Sequence, residues 1–211
     1  MYYTVQMIKL LFPLPKDVIV AFSGGVDSVA VADFLSRKHN VTCVFFHHGT
    51  ENSEKAFKFV SDFASDRKLP LMFKVLNGVK PKDKSDEEFW RNKRYEFFDQ
   101  FYNGTVVTGH HLDDCVETYL FSALNGNPKL IPFKRNNVVR PFLTTRKSEF
   151  VNWCTRKNIE WCHDTSNDDT KYNRNYIRHN LLPHALKVNP GLHSTVKKMV
   201  EQKLVLEALT Q

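Results

Sequence analysis

Long apolar runs are missing from this chain. None approaches the roughly 18 residues that a membrane-spanning helix needs, so no membrane span is expected. The N-terminal stretch MYYTVQMIKLLFPLPK is apolar in part, yet it lacks a basic segment followed by a small-residue cleavage site, which argues against a signal peptide. Cysteine is scarce: Cys43, Cys115, Cys154 and Cys162 are the four in 211 residues, and none forms a C-x-x-C pair. Their spacing gives no support to a zinc knuckle, an iron–sulfur site or a thioredoxin-type dithiol. Each thiol reads as a small buried apolar residue, and a chain this long without a cysteine framework reads as intracellular, hence cytoplasmic. Internal repeats and low-complexity tracts are absent too.

What is present is ample material for a core. The chain is 42% hydrophobic and 13% aromatic, which excludes a disordered polymer and fits one generous domain or a domain with a short appendage. Lys and Arg number 30 against 23 Asp and Glu, a net charge of +7. That excess permits a polyanionic partner without proving one.

Periodicity orders the first two-thirds. DVIVAF at residues 17–22 is a β-rich run that stops at Ser23-Gly24-Gly25. From Asp27 the apolar residues switch to helical spacing, with an acidic start and the basic end Arg37-Lys38-His39. Strands are then expected at residues 41–46, 71–76 and 105–108, and helices at 53–68, 86–102 and from Leu112. This alternation predicts an α/β fold with a doubly wound parallel sheet, which binds ligands at the carboxyl ends of its strands. Residues 125–141 read as an exposed connection with a short strand at Val138-Val139. A helix is expected near residues 148–157, and a helical tail follows from Tyr176. We expect a catalytic domain over residues 1–183 and a short helical tail over 184–211.

Two polar turns fall at strand ends. In SGGVDS, Gly24 and Gly25 let the backbone approach a ligand, and the unpaired amides of the first helical turn, from Val26 onward, suit phosphate oxygens. Ser23 and Ser28 add hydroxyls. Asp27 would repel a phosphate unless a cation lay between them, so we expect it to hold Mg²⁺. The string is neither a Walker A loop nor a spaced dinucleotide fingerprint. A plain strand–helix turn with Asp27 in its first turn is the alternative. The second turn, GHHLDDCVET, puts Asp113 and Glu117 four apart on one helix face. Its carboxylates and histidines fit metal binding or capture of a cationic substrate. Helix capping by Asp113 and Asp114 is the simpler alternative. A zinc site is weaker, because the spacing is not H-E-x-x-H.

SGGVDS resembles the PP-loop of ATP pyrophosphatases, which cleave ATP between the α and β phosphates. Taken in order with HHGTENS, EEFWRNKRY, GHHLDDCVET, RPF and DTSNDDTKYNRNYIRHNLLP, it is similar to the tRNA(Ile)-lysidine synthetases over about residues 17–183. The resemblance implies ATP-dependent adenylation of the wobble cytidine of an isoleucine tRNA with a CAU anticodon. Free lysine then displaces AMP. It implies ATP contacts at Ser23, Gly24, Gly25, Val26, Asp27 and Ser28, catalytic roles for Asp27, His110, Asp113, Asp114 and Glu117, and lysine contacts at Arg91, Asp114 and Glu117. Arg140, Arg174, Asn175 and Arg178 would contact tRNA or phosphate. Arg94 is as well explained by a solvated basic face as by the site. A base must take the proton of the lysine ammonium before attack, and His110, His111 or a carboxylate could serve.

There are departures from the family pattern. His47-His48-Gly49-Thr50-Glu51 stands where Asp-His-Gly-Leu-Arg is usual. The segment after the second acidic turn is shortened, and a short form without the usual C-terminal tRNA-binding domains is expected. A different PP-loop tRNA-modifying enzyme and a catalytically reduced RNA-binding module are the competing readings. The cysteine spacing argues against a thiolase.

Overall fold

The computed structural model describes residues 8–76, 85–163 and 173–209. Six strands form one sheet in the order β3-β2-β1-β4-β6-β5. β1 (Asp17–Ala21), β2 (Asn40–His47), β3 (Leu71–Val75) and β4 (Val106–Val107) run parallel, and β6 (Val138–Val139) continues the parallel set beside β4. β5 (Lys134–Arg135) pairs antiparallel with β6. The helices are α1 (Val26–Ser36), α2 (Glu51–Asp66), α3 (Asp86–Asp99), α4 (Leu112–Leu124) and α5 (Lys147–Arg156), followed by α6 (Asn173–Tyr176), α7 (Leu182–Val188) and α8 (Leu192–Leu209). A π-helical turn at Ile177–Leu181 joins α6 to α7.

The doubly wound sheet is therefore observed, and its two faces follow from the period-two alternation of a strand. Val18 and Val20 of β1, with Cys43 and Phe45 of β2, pack in one cluster with Val29 and Leu35 of α1, Val60 and Phe63 of α2, and Phe150 of α5. The intervening Val44, Phe46 and Val106 face Tyr95, Phe97 and Phe98 of α3. A third cluster joins Cys115 and Val116 of α4 to Val196 and Val200 of α8. The C-terminal helix thus shares buried core with the helix of the second polar turn.

Two elements differ from expectation. α3 ends at Asp99 rather than near residue 102. The 125–141 segment holds a hairpin, with Lys134 paired to Val139 and Arg135 to Val138. Its two-residue turn works because Asn136 takes φ 53°, a conformation asparagine tolerates better than most residues. Residues 77–84, and residues 164–172 of the DTSNDDTKYNRNYIRHNLLP motif, lie outside the described residues.

Strand order places the site. β1 lies between β2 and β4, so chain connections leave it toward opposite sides of the sheet. The crevice at such a switch point is where doubly wound sheets hold ligands. The two expected turns follow β1 and β4, the strands that flank this crevice.

Candidate active site

Beyond β1, Gly24 adopts φ +83°, and a Cβ there would lie 3.3 Å from both Phe59 and Val60. The positive φ favours glycine, and the two side-chain contacts would be tight for any larger residue. The Gly24 carbonyl accepts the Cys162 amide at 2.9 Å, and Ser28 Oγ donates to the Gly25 carbonyl at 2.9 Å while receiving the Ser23 amide at 3.2 Å. Ser28 thus braces the turn from within. Among the described residues no side chain caps the N-terminus of α1, so its first amides and their partial positive charge open toward the crevice. Val26 is buried and can serve a ligand through its amide alone.

Beyond β4, Gly109 lies against α1: an added Cβ would stand 3.3 Å from the carbonyl carbon and Cβ of Asp27. His111 follows as the N-cap of α4, in a reciprocal capping box with Asp114. The two turns enclose a cavity of about 310 Å³ lined by Ser23, Asp27, Ser28, His48, Arg91, Arg94, Thr108, His110, Asp114 and Arg174, among others. Ala21, Phe22, Val44 and Phe46 form its apolar floor. A larger hollow, about 600 Å³, lies at the opposite ends of the strands. There His39 Nδ1 bonds the Pro15 carbonyl at 2.8 Å and Asn40 bonds Asp17 at 2.8 Å. Neither polar turn reaches that hollow, and it offers no comparable chemistry.

Charge within the crevice is strongly coupled. His110 Nδ1 bonds Thr108 Oγ1 at 2.7 Å. Loss of solvation pushes the His110 imidazole down to about 3, against the pull of Asp114, so the ring is neutral at physiological pH and a weak proton acceptor. His111 is buried, which opposes its charge, but Asp114, Asp27 and Asp113 outweigh burial and raise its pKa. Burial by itself would raise Asp114; His111, Arg174 and His110 overcome it and hold that carboxyl well below the usual range. Asp113 is held low likewise, burial being overcome by His193, the Lys147 amide, His111 and Arg146.

The acidic residues of GHHLDDCVET part company. Asp114 faces the cavity and pairs with Arg174 Nη2 at 2.7 Å. Glu117 is 2% exposed and is not on the cavity wall. It takes Arg174 Nε at 3.0 Å and both Nε and Nη2 of Arg178, at 2.7 and 3.0 Å. Asp113, expected beside them, turns away: it accepts the Lys147 amide at 2.8 Å and meets Arg146 and His193 at 3.3 Å each. Its carboxylate ties α4 to α5 and α8 rather than lining the cavity.

The expected phosphate contacts separate too. Arg174 lines the cavity, whereas the Arg178 guanidinium is taken up by Glu117 and Asn175 is buried. Arg140 is 2% exposed and donates to the Pro132 carbonyl at 2.8 Å and to Tyr95 Oη at 2.7 Å. It is a core strut. Arg91 and Arg94 both line the cavity, Arg91 lying 5.4 Å from the Tyr95 ring centroid. Sequence reasoning missed His48 and Thr108 on the cavity wall. Their placement at the ends of β2 and β4 was the available signal.

A family model described as the PP-loop domain matches residues 4–185. The chain belongs to the PP-loop domain family. This PP-loop chain is 33% identical over 210 residues to a tRNA(Ile)-lysidine synthase of Vibrio parahaemolyticus, covering 91% of the chain and 48% of that relative. It is 32% identical over 196 residues to a tRNA(Ile)-lysidine synthase of Persephonella marina, covering 85% and 43%. The chain thus spans about half the length of the curated relatives it matches. In fold it is similar to a U34-tRNA thiolase of Methanococcus maripaludis solved with its [4Fe-4S] cluster, with TM-score 0.72, 12% identity, and coverage of 95% of this chain and 73% of that one. Three of the four cysteines here, Cys43, Cys115 and Cys154, are buried. Among the described residues no helix is long and apolar enough to cross a membrane.

Proposed function

We propose that this PP-loop domain carries the tRNA(Ile)-lysidine synthase reaction: ATP adenylates the wobble cytidine of an isoleucine tRNA with a CAU anticodon, and lysine then displaces AMP. The observation that carries the reading is the joining of the uncapped α1 N-terminus to the acidic turn after β4 across one cavity. The similarity to lysidine synthases over most of the chain supports it. The α1 amides, with Ser23, Gly24 and Gly25, would receive the ATP phosphates. Arg91, Arg94 and Arg174 add positive charge where phosphate leaves and RNA enters.

Asp27 fits a Mg²⁺ ligand. Its side chain is on the cavity wall with Ser23 and Ser28, and since Oδ1 is the buried oxygen, facing His111, the other carboxylate oxygen is the one that would meet the cation. Among the described residues no cluster of three His, Cys, Asp or Glu would hold a metal unaided. Magnesium is usually held by one or two carboxylates together with substrate phosphates and water. When bound, Mg²⁺ would supply charge neutralisation between Asp27 and the phosphates.

Asp114 would meet the lysine ammonium, and Arg91 its carboxylate. Glu117 would reach lysine once Arg174 withdrew; as the side chains stand it orients Arg174. His110 contacts the reacting groups as a neutral polar partner. The test is incubation with isoleucine tRNA bearing a CAU anticodon, ATP and labelled lysine. Label in the tRNA with matching release of AMP and pyrophosphate is expected. Intact ATP binding without pyrophosphate release would overturn the reading and leave an RNA- or nucleotide-binding module.

A further inference from the structure

The two polar turns, more than eighty residues apart in the chain, meet at His111. Its imidazole is 2% exposed. Nε2 lies 3.6 Å from Asp27 Oδ1 and 3.6 Å from Asp114 Oδ2, and Nδ1 lies 3.7 Å from Asp113 Oδ2. The same ring caps α4: Nδ1 accepts the Asp114 amide at 3.3 Å, and the Asp114 carboxylate accepts the His111 amide at 2.9 Å. A ring nitrogen that accepts an N–H uses its lone pair and bears no proton. In the neutral ring the cap therefore assigns the proton to Nε2, the nitrogen that faces Asp27.

Asp27 Oδ1 is the matching acceptor: it is buried and has no hydrogen-bond partner among the described residues. At 3.6 Å the pair is longer than a formed hydrogen bond, and active-site contacts of this kind tighten when ligand arrives. Asp113 does not contend for the ring, because the Lys147 amide, Arg146 and His193 hold its carboxylate.

We propose that His111 is a positioning residue for Asp27. Its capping bond fixes the tautomer, and the Nε2–H then holds one oxygen of Asp27 inward, leaving the other turned to the cavity for a divalent cation. Geometry makes His111 a partner of a metal-facing carboxylate, a role distinct from that of a base for lysine. The proposal rests on the reading of Asp27 as a Mg²⁺ ligand.

The test compares His111→Asn with the unaltered protein. Asparagine is a strong N-cap, so the variant keeps the cap, but its side chain is too short to reach Asp27. ATP affinity is measured by calorimetry in excess Mg²⁺ and again in EDTA, with a melting curve for each protein. We expect Mg²⁺ to tighten ATP binding in the unaltered protein, and His111→Asn to lose about ten-fold of that gain, with metal-free binding and melting unchanged. If the variant keeps the full gain, His111 is only a cap and the proposal falls, while the reading of Asp27 stands. If Mg²⁺ does not affect binding even in the unaltered protein, the reading of Asp27 fails and the proposal with it. Should His111→Asn not fold, nitrogen-15 shifts of the His111 ring in the unaltered protein decide: the neutral Nε2–H form supports the proposal, and the Nδ1–H form or a doubly protonated ring, in which Nδ1 cannot accept the Asp114 amide, overturns it.

Discussion

Glu117 holds Arg178 with both carboxylate oxygens, Nε to Oε1 at 2.7 Å and Nη2 to Oε2 at 3.0 Å. It also receives Arg174 Nε at 3.0 Å. Two guanidiniums thus depend on one buried carboxylate. Glu117→Gln should destabilise the fold by about 2 kcal/mol, below the roughly 3–5 kcal/mol of a broken, fully buried pair, because both arginines keep some solvent contact. Urea denaturation measures this. A change below about 0.5 kcal/mol, the range of an ordinary surface substitution, would show that the arginines re-pair elsewhere.

Arg174 occupies the cation position on Asp114 that a lysine ammonium would need. Arg174→Gln should therefore lower the KM for lysine while slowing the pyrophosphate-releasing step, which loses a positive group. Asp114→Asn should raise the KM for lysine more than that for ATP. Steady-state kinetics with each substrate varied checks both variants; equal losses for lysine and ATP in Asp114→Asn would place the ammonium elsewhere.

Asp27→Ala should abolish adenylation with the fold intact, since the side chain makes no hydrogen bond that holds the turn among the described residues. Circular dichroism and pyrophosphate release measured together test this. Undiminished pyrophosphate release would remove the cation from Asp27.

Gly109→Ala should destabilise the protein by about 1–3 kcal/mol, the range for overpacking a tight contact. It should also raise the KM for ATP, because the new methyl group presses on Asp27. Thermal melting with an ATP saturation curve is the measurement. A variant with normal KM would mean that α4 rather than α1 yields.

His110 gives stability a pH dependence of known sign. Its pKa is 6.5 as a reference and about 3 in the folded protein, so the unfolded chain takes up the proton first. Its contribution is fully present above about pH 6.5 and declines as pH falls toward 3. Asp114, held well below the ordinary carboxylate range, stays charged through most of that interval. His110→Gln should flatten the loss between pH 7 and pH 5. Urea midpoints for both proteins at the two pH values show whether the slopes differ.

The sheet and both turns were readable because their signals are local. DVIVAF ends at two glycines, and helical spacing resumes at Asp27. Of the hairpin around Asn136, the strand Val138-Val139 was expected, but its partner Lys134-Arg135 was not, because a two-residue polar strand carries no period. The divergence of Asp113 from Asp114 was hidden for another reason. Helical spacing says that residues three or four apart are neighbours, but it does not say which side of the helix meets the cavity. The 113–117 pairing was expected, whereas Asp114 and Glu117 are the pair that share Arg174. Arg140 was expected to contact tRNA or phosphate on the family resemblance alone. Its partners, the Pro132 carbonyl and Tyr95, come together only in three dimensions.

The contact of Gly109 with the backbone of Asp27 has an evolutionary corollary. The strand-end loops cannot be exchanged one at a time between relatives. A chimera that imported the first loop alone would seat it against a foreign wall, and one that imported a bulkier residue at position 109 would dislodge the donor's aspartate. Drift in one loop is thereby constrained by the other, although the chain separates them by most of the sheet.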